Sequence, residues 1–77
     1  METIRVEGTQ FTKARDAVDH ARMYGADAIL FAGKILVVEK EESARLERER
    51  FAFAYLCEHK GRIVTVPVNE EMSDVRG

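Results

Sequence analysis

The sequence has few of the residues that identify secreted, metal-binding or membrane-spanning proteins. Cys57 is the only cysteine, so no internal disulfide can form, and a reducing cytoplasm suits the chain. No apolar run approaches the ~20 residues that a membrane-spanning helix needs. The first residues lack the basic start and the apolar core of a signal peptide. We therefore expect a cytoplasmic protein without a membrane partner.

No charge of one sign dominates the chain either. Twelve basic and fourteen acidic side chains give a net charge of −2. General affinity for nucleic acid depends on a basic surplus that neutralises phosphates, so this balance disfavours a polyanionic partner. Arg45, Arg48 and Arg50 suggest a basic stripe, but Glu47 and Glu49 interrupt it. Interleaved charges of this kind are typical of a solvated helix face.

Length and composition predict one small globular domain. Seventy-seven residues leave no room for a second domain, and 45% apolar with 34% charged residues is a globular balance. A chain this short buries only about 60% of its unfolded surface, so its core is thin. We place a single α/β domain at residues 1–68 and a polar, flexible C-terminal tail at residues 69–77.

Hydrophobic periodicity predicts the element order β-α-β-β-α-β. In residues 3–7 polar and apolar side chains alternate, which predicts a strand with one solvent-exposed face. Apolar residues at helical spacing then follow from Gln10 to Gly25. The apolar runs 28–32 and 35–38 flank Gly33-Lys34, which favours a hairpin with a type II′ turn.

The second half of the chain completes this pattern. Residues 40–60 are interpreted as a second, longer helix that Gly61 ends, and residues 62–68 as the last strand. Pro67 confines the end of that strand to a sheet edge or terminus. The order fits an α+β two-layer sandwich, and the ferredoxin-like (split βαβ) fold is our leading prediction.

The sequence carries more apolar surface than two such helices can cover. The hairpin and the last strand are apolar on both faces, and the second helix is apolar on two opposite sides. We therefore predict a non-catalytic protein-interaction module that self-associates as a homodimer. A tighter fold that hides the excess, or a different protein partner, are the alternatives. The candidate interface residues are Phe31, Leu36, Leu46, Phe53 and Cys57.

Two other classes of function stay open at this point. A small-molecule-binding protein or small enzyme would place a pocket between sheet and helices, with His20, Tyr24, Asp27 and Tyr55 as its polar candidates. A nucleic-acid-binding ferredoxin-like domain would need aromatic residues on its central strands, and the predicted first and third strands have none.

The sequence points to no catalytic residue, metal ligand or cofactor. Cys57 is predicted near a helix C-terminus, where the dipole disfavours a thiolate, so we interpret it as structural. The layout of Glu7-Gly8 after one strand, with Glu39 and Glu41 after another, resembles that of the toprim family, which implies Mg²⁺-dependent nucleic-acid chemistry. That family has a parallel sheet core, whereas the tight turn here makes the neighbouring strands antiparallel. We therefore interpret these acids as solvated strand and helix ends.

Overall fold

The structure, a computed structural model, describes residues 6–69 as a small α+β fold with five strands and two helices. The strands form one antiparallel sheet in the order β1-β3-β2-β4-β5. The elements are β1 (Thr9–Phe11), α1 (Ala14–Tyr24), β2 (Asp27–Phe31), β3 (Lys34–Val38), α2 (Lys40–Arg48), β4 (Phe53–His59) and β5 (Arg62–Val68).

The two helices lie on opposite faces of this sheet. Helix α1 connects β1 to β2 across β3, and α2 connects β3 to β4 across β2. Both crossovers move the same way along the sheet but start from strands of opposite direction, so the right-handed rule puts the helices on opposite sides. The α1 face packs Ala28, Val37 and Leu56 against α1, and the α2 face packs Ile29, Val38 and Phe53 against Leu46 of α2.

This arrangement does not confirm the ferredoxin-like order. The described residues contain one strand more than that pattern, and the sheet continues from β2 to β4 and β5. A ferredoxin-like sandwich places both helices on one face, whereas here each helix has a face of its own. The apolar character of both strand faces, which we attributed to a second copy of the chain, is in large part explained by these two cores.

The predicted hairpin forms, with a shifted register. Its turn is Ala32-Gly33, where both residues have positive φ (53° and 78°), as a type I′ turn requires. The predicted turn at Gly33-Lys34 would pair Ile29 with Val38, whereas in the structure Ile29 pairs with Leu36, two residues away. A shift of two preserves the side-chain alternation, so every residue keeps the predicted face.

Helix α2 begins at Lys40 as predicted but ends at Arg48 instead of Lys60. The N–H of Arg50 donates to the carbonyl of Glu47 at 3.1 Å, and the N–H of Phe51 donates to the carbonyl of Leu46 at 3.0 Å. These bonds form a Schellman motif with Arg50 in the left-handed conformation, at φ 69°. The expected glycine is absent from this helix end, so the sequence did not reveal it.

Strand β4 occupies the stretch that we had predicted as the second half of the helix. Residues 51–57 are seven consecutive apolar residues, and short apolar runs do not distinguish a buried strand from a buried helix. Phe53 and Tyr55 point to the α2 face, while Ala54 and Leu56 point to the α1 face. The two apolar ridges of the supposed helix are thus the two faces of one strand.

The ends of the chain are only partly described. The predicted first strand at residues 3–7 lies mostly outside the described residues. Within residues 6–69 the first strand is β1, and it includes Gln10 and Phe11, so the prediction of a helix from Gln10 was wrong at its start. Strand β5 matches the predicted residues 62–68. The predicted tail lies outside the described residues except for Asn69, whose amide donates to the carbonyls of Glu47 and Phe51.

Candidate interaction surface

The α2 face of the β4–β5 hairpin carries an apolar surface that neither helix covers. It consists of Tyr55, Cys57, Val64 and Val66, which we call the hairpin patch. Cys57 lies opposite Val64 and Tyr55 lies opposite Val66, and opposed residues of antiparallel strands share a face. Val64 is 38% exposed and Val66 48% exposed, Cys57 is exposed, and Tyr55 is half-buried. The core beneath α2 includes Tyr55 but not Cys57, Val64 or Val66.

Two of the predicted interface residues are enclosed by the chain itself. Leu46 has no exposed surface and Phe53 is 2% exposed, because both lie in the core between α2 and the sheet. Neither side chain is accessible to a second copy. Cys57 is the predicted interface residue that the structure leaves exposed, and it lies on β4 instead of a helix.

The other two, Phe31 and Leu36, are half-buried beside β1. Phe31 meets the ring of Phe51 edge-to-face, with 6.3 Å between the centroids. Phe31 and Leu36 also line an open cavity of about 460 Å³ together with Val6 and Gln10. These side chains extend the α2 core towards β1 and lie on the same face as the hairpin patch, but on strands β2 and β3.

A cavity of about 580 Å³ lies where β2 and β4 stop pairing. Their ladder has only two pairs, Ile29 with Tyr55 and Leu30 with Ala54. Beyond these pairs the cavity opens between α1 and the hairpin, and Asp27 lines it together with Tyr55. Its apolar lining residues are Val18, Ala21, Ala26, Ala28 and Leu56.

Three of the charged groups that line this cavity are paired: Arg22, Glu58 and Asp27. Arg22 Nη1 lies 2.6 Å from Glu58 Oε1, and Asp27 accepts hydrogen bonds from Lys40 Nζ at 2.9 Å and from Ser43 Oγ at 2.6 Å. The hydrogen bond to Asp27 raises the pKa of Lys40 above its ordinary value. Asp27 thus joins β2 to the first turn of α2, and this structural role occupies its carboxylate.

His20 and Tyr24 lie apart from the other two pocket candidates. Their rings stack on α1 with centroids 4.5 Å apart, and Phe11 of β1 lies 5.2 Å from His20. Neither His20 nor Tyr24 lines the large cavity. The structure therefore brings Asp27 and Tyr55 to one cavity but does not assemble the four polar candidates into a single site.

The acids with the toprim-like layout do come together, at the start of α2. They line a shallow cavity of about 330 Å³ together with one more acid and two arginines. Its lining residues are Glu7, Glu39, Glu41, Glu42, Arg45 and Arg48. Arg45 Nη2 lies 2.8 Å from Glu42 Oε2, and this hydrogen-bonded pair lowers the pKa of Glu42. Within residues 6–69, no group of three or more His, Cys, Asp or Glu side chains is arranged to hold a metal ion.

Val64 and Val66 are the surface residues that sequence reasoning missed. The bounds of their strand were predicted correctly. However, its apolar residues formed one of several faces that carried more apolar surface than the predicted helices could cover. Pro67 was the available signal, because a proline confines its strand to a sheet edge, where one side has no neighbouring strand to help cover it.

Comparison with known proteins does not narrow the function. In residues 6–69 no helix has both the length and the apolar composition to cross a membrane. No family model matches the chain, and searches of curated proteins and of solved structures gave no match.

Proposed function

We propose that this chain is a small, non-catalytic protein-interaction module that self-associates as a homodimer through the hairpin patch. The observation that carries the proposal is the exposure of Val64 and Val66 on a strand face that neither helix covers. Single exposed apolar residues are ordinary, but two valines adjoining Cys57 and Tyr55 form one contiguous surface. A two-fold dimer would bury this same patch on both copies.

The size of the patch limits the affinity that it can provide. Burying a fully exposed valine stabilises by roughly 1.5–3 kcal/mol, and less than half of each patch valine is exposed. Association of two chains costs about 4–15 kcal/mol in lost rotational and translational freedom. The patch by itself therefore supports only weak self-association, and a stable dimer needs a further contact.

Sedimentation equilibrium tests the proposal directly. The chain is loaded from about 1 to about 500 µM, a range of dissociation constants that corresponds to binding free energies from about −8 to about −4.5 kcal/mol. We expect the mass to rise from 8.8 kDa towards twice that value. A double variant, Val64→Thr with Val66→Thr, keeps the β-branched shape and should weaken dimerisation roughly tenfold or more, because it removes apolar burial from both copies.

Met23→Gln is the matched control, because Met23 is 75% exposed but lies on α1, on the other face of the sheet. It should leave the dimerisation constant unchanged. A wild-type chain that stays at 8.8 kDa throughout, or a double variant that dimerises like the wild type, contradicts the proposal.

A small-molecule-binding function is the second candidate, and the cavity beside Asp27 and Tyr55 supports it. Its volume of about 580 Å³ falls within the range of ligand sites, although its mouth is open and its Arg22, Glu58 and Asp27 side chains are paired. An ¹⁵N NMR titration with a set of aromatic fragments tests it. Shifts confined to the amides of Ala28, Leu56 and their neighbours would support a ligand site, and unchanged spectra would remove it.

A further inference from the structure

The two outer strands of the sheet differ in how well they are protected from pairing with another chain. Strand β1 has three residues, and short edge strands are a common protection. Strand β5 has seven residues and carries no charged side chain from Ile63 to Val68. In the part of the chain that the structure describes, no strand pairs with the outer edge of β5. Pro67 is the one protective feature of that edge.

Hairpin geometry shows which backbone groups point to this free edge. The turn Lys60-Gly61 has two residues with positive φ, so the flanking pair His59 and Arg62 exchanges hydrogen bonds. Hydrogen-bonded pairs then alternate along an antiparallel ladder. Arg62 and every second residue after it bond to β4. The backbone groups of the residues between them point outward: Ile63, Thr65 and Pro67.

Pro67 fits this pattern because its position is one of the outward ones. It lies opposite Ala54 in a pair that exchanges no backbone hydrogen bonds, so its missing N–H costs the hairpin nothing. The outer edge therefore presents the N–H donors of Ile63 and Thr65 only. Any chain that pairs with β5 has to match two donors followed by a gap.

We propose that a second copy of this chain pairs its β5 with this edge in antiparallel orientation, centred on Val64; this inference rests on the proposed self-association. In that register Ile63 faces Thr65 of the partner subunit, and Thr65 faces Ile63 of the partner subunit. Each such pair exchanges two hydrogen bonds, four in all, which uses both outward donors of each copy. If the two β5 strands were instead centred on Thr65, Ile63 would face Pro67 of the partner subunit. Because proline has no N–H group, the carbonyl of Ile63 would then have no donor.

The same register is favourable for the side chains. Val64 meets Val64 of the partner subunit in a pair without mutual hydrogen bonds, where side chains approach most closely. The two hairpin patches then form one apolar strip on the α2 face of a continuous sheet. Arg62 lies opposite Val66 of the partner subunit, so the two arginines are about 14 Å apart along the strands, beyond the screening length at physiological salt. A parallel arrangement would bring the arginines together.

This pairing supplies the further contact that the hairpin patch needs. The net free energy that one hydrogen bond contributes is about equal to that from partial burial of one patch valine. Four hydrogen bonds therefore contribute about as much as burial of the hairpin patch itself. Edge pairing and patch burial occur in one event because both involve β5. The stability of the dimer thus depends on the backbone hydrogen bonds of Ile63 and Thr65 as much as on burial of the valines.

Thr65→Pro is the sharpest variant for testing the edge. It removes an outward donor without removing a hydrogen bond to β4, and Pro67 two residues later shows that the strand accepts proline at an outward position. We expect dimerisation roughly tenfold weaker or more, since one bond is lost per copy. Val66→Pro, which removes a donor that β4 uses, should instead lower the unfolding midpoint of the monomer and so verify the assignment of inward and outward groups.

Amide hydrogen exchange tests the same edge without a substitution. At dimer concentrations the N–H groups of Ile63 and Thr65 should exchange at least tenfold more slowly than on dilution, whereas those of Val64 and Val66 should be protected at both concentrations. This measurement decides the question if Thr65→Pro fails to fold.

The outcomes separate the two proposals. A wild-type monomer at all concentrations overturns both. A wild-type dimer with fast exchange at Ile63 and Thr65, or with an unaffected Thr65→Pro variant, overturns the edge pairing and leaves patch-driven self-association standing. Slow exchange at both amides in a dilute monomer would mean that the chain covers its own edge with residues outside 6–69, and it also overturns the edge pairing.

Discussion

Ser43 Oγ donates a hydrogen bond of 2.6 Å to Asp27 Oδ2, which joins the first turn of α2 to the first residue of β2. Ser43 is 1% exposed, and Lys40 Nζ reaches the other carboxylate oxygen at 2.9 Å. These contacts fix the N-terminal end of α2 to β2. It also occupies the carboxylate that sequence reasoning had offered as a pocket residue.

Ser43→Ala should therefore destabilise the monomer by about 1–2 kcal/mol, because a half-buried carboxylate loses the donor that the buried Ser43 supplies. Urea unfolding monitored by circular dichroism measures the change. Ala44→Ser, the reverse change at the exposed neighbouring position, should cost no more than about 0.5 kcal/mol. Equal effects of the two variants would contradict the structural role of the Ser43 hydrogen bond.

The stability of the wild type should fall in acid, in part through Glu42. Arg45 holds the pKa of Glu42 below its ordinary value of 4.5, so the group stabilises the fold above that pH and the contribution is lost as the pH falls through the folded-state pKa. The urea midpoint of Glu42→Gln should accordingly change less between pH 6 and acid than that of the wild type. Glu41→Gln, at an exposed carboxylate of the same helix, is the control. A Glu42→Gln variant with undiminished acid sensitivity would exclude this contribution.

Gly8→Ala should destabilise the fold although Gly8 is exposed. A Cβ atom at this position would lie 2.7 Å from the carbonyl oxygen of Val37 and 2.7 Å from Cγ1 of Val38. A backbone oxygen in a sheet cannot move aside cheaply, so we expect a loss of about 1–3 kcal/mol in the free energy of unfolding. Thr9→Ala, at the next exposed residue, provides the comparison and should have a smaller effect.

Arg50→Gly should stabilise the protein by roughly 0.5–1 kcal/mol, because Arg50 holds a left-handed conformation that favours glycine. The same substitution within the helix, Arg48→Gly, should destabilise it by about 1 kcal/mol. Thermal or urea unfolding of the pair gives the sign of each change. Destabilisation by both variants would argue against the helix end at this position.

Cys57 should react readily with a thiol reagent in the folded monomer, because it lies exposed on β4. Dilute protein should label without urea, at a rate close to that of the unfolded chain. In the proposed edge-paired dimer the two Cys57 strands are three strand spacings apart, about 14 Å, too far for a disulfide. Rapid oxidation to a covalent dimer would contradict that arrangement.

The sequence by itself determined most of the local structure. The Gly25 helix end follows from a helix-stop residue, the start of α2 at Lys40 from the acids of its first turn, and β5 from the apolar stretch that begins after Gly61. The assignment of β2 and β3 side chains to faces survived a register error, because a two-residue shift leaves alternation intact. The apolar character of both strand faces was also correct, and it pointed to surfaces beyond one helix layer.

Only the tertiary structure decided where those apolar residues lie. Sequence periodicity does not give the direction of a crossover, so it did not show that α1 and α2 cover opposite faces and enclose Leu46 and Phe53. It also did not reveal that Arg50 would take a left-handed conformation and end α2 early, since non-glycine residues reach that region only when the surrounding packing stabilises it. With α2 ended at Arg48, residues 53–59 form β4 and pair with β5, where Val64 and Val66 remain exposed.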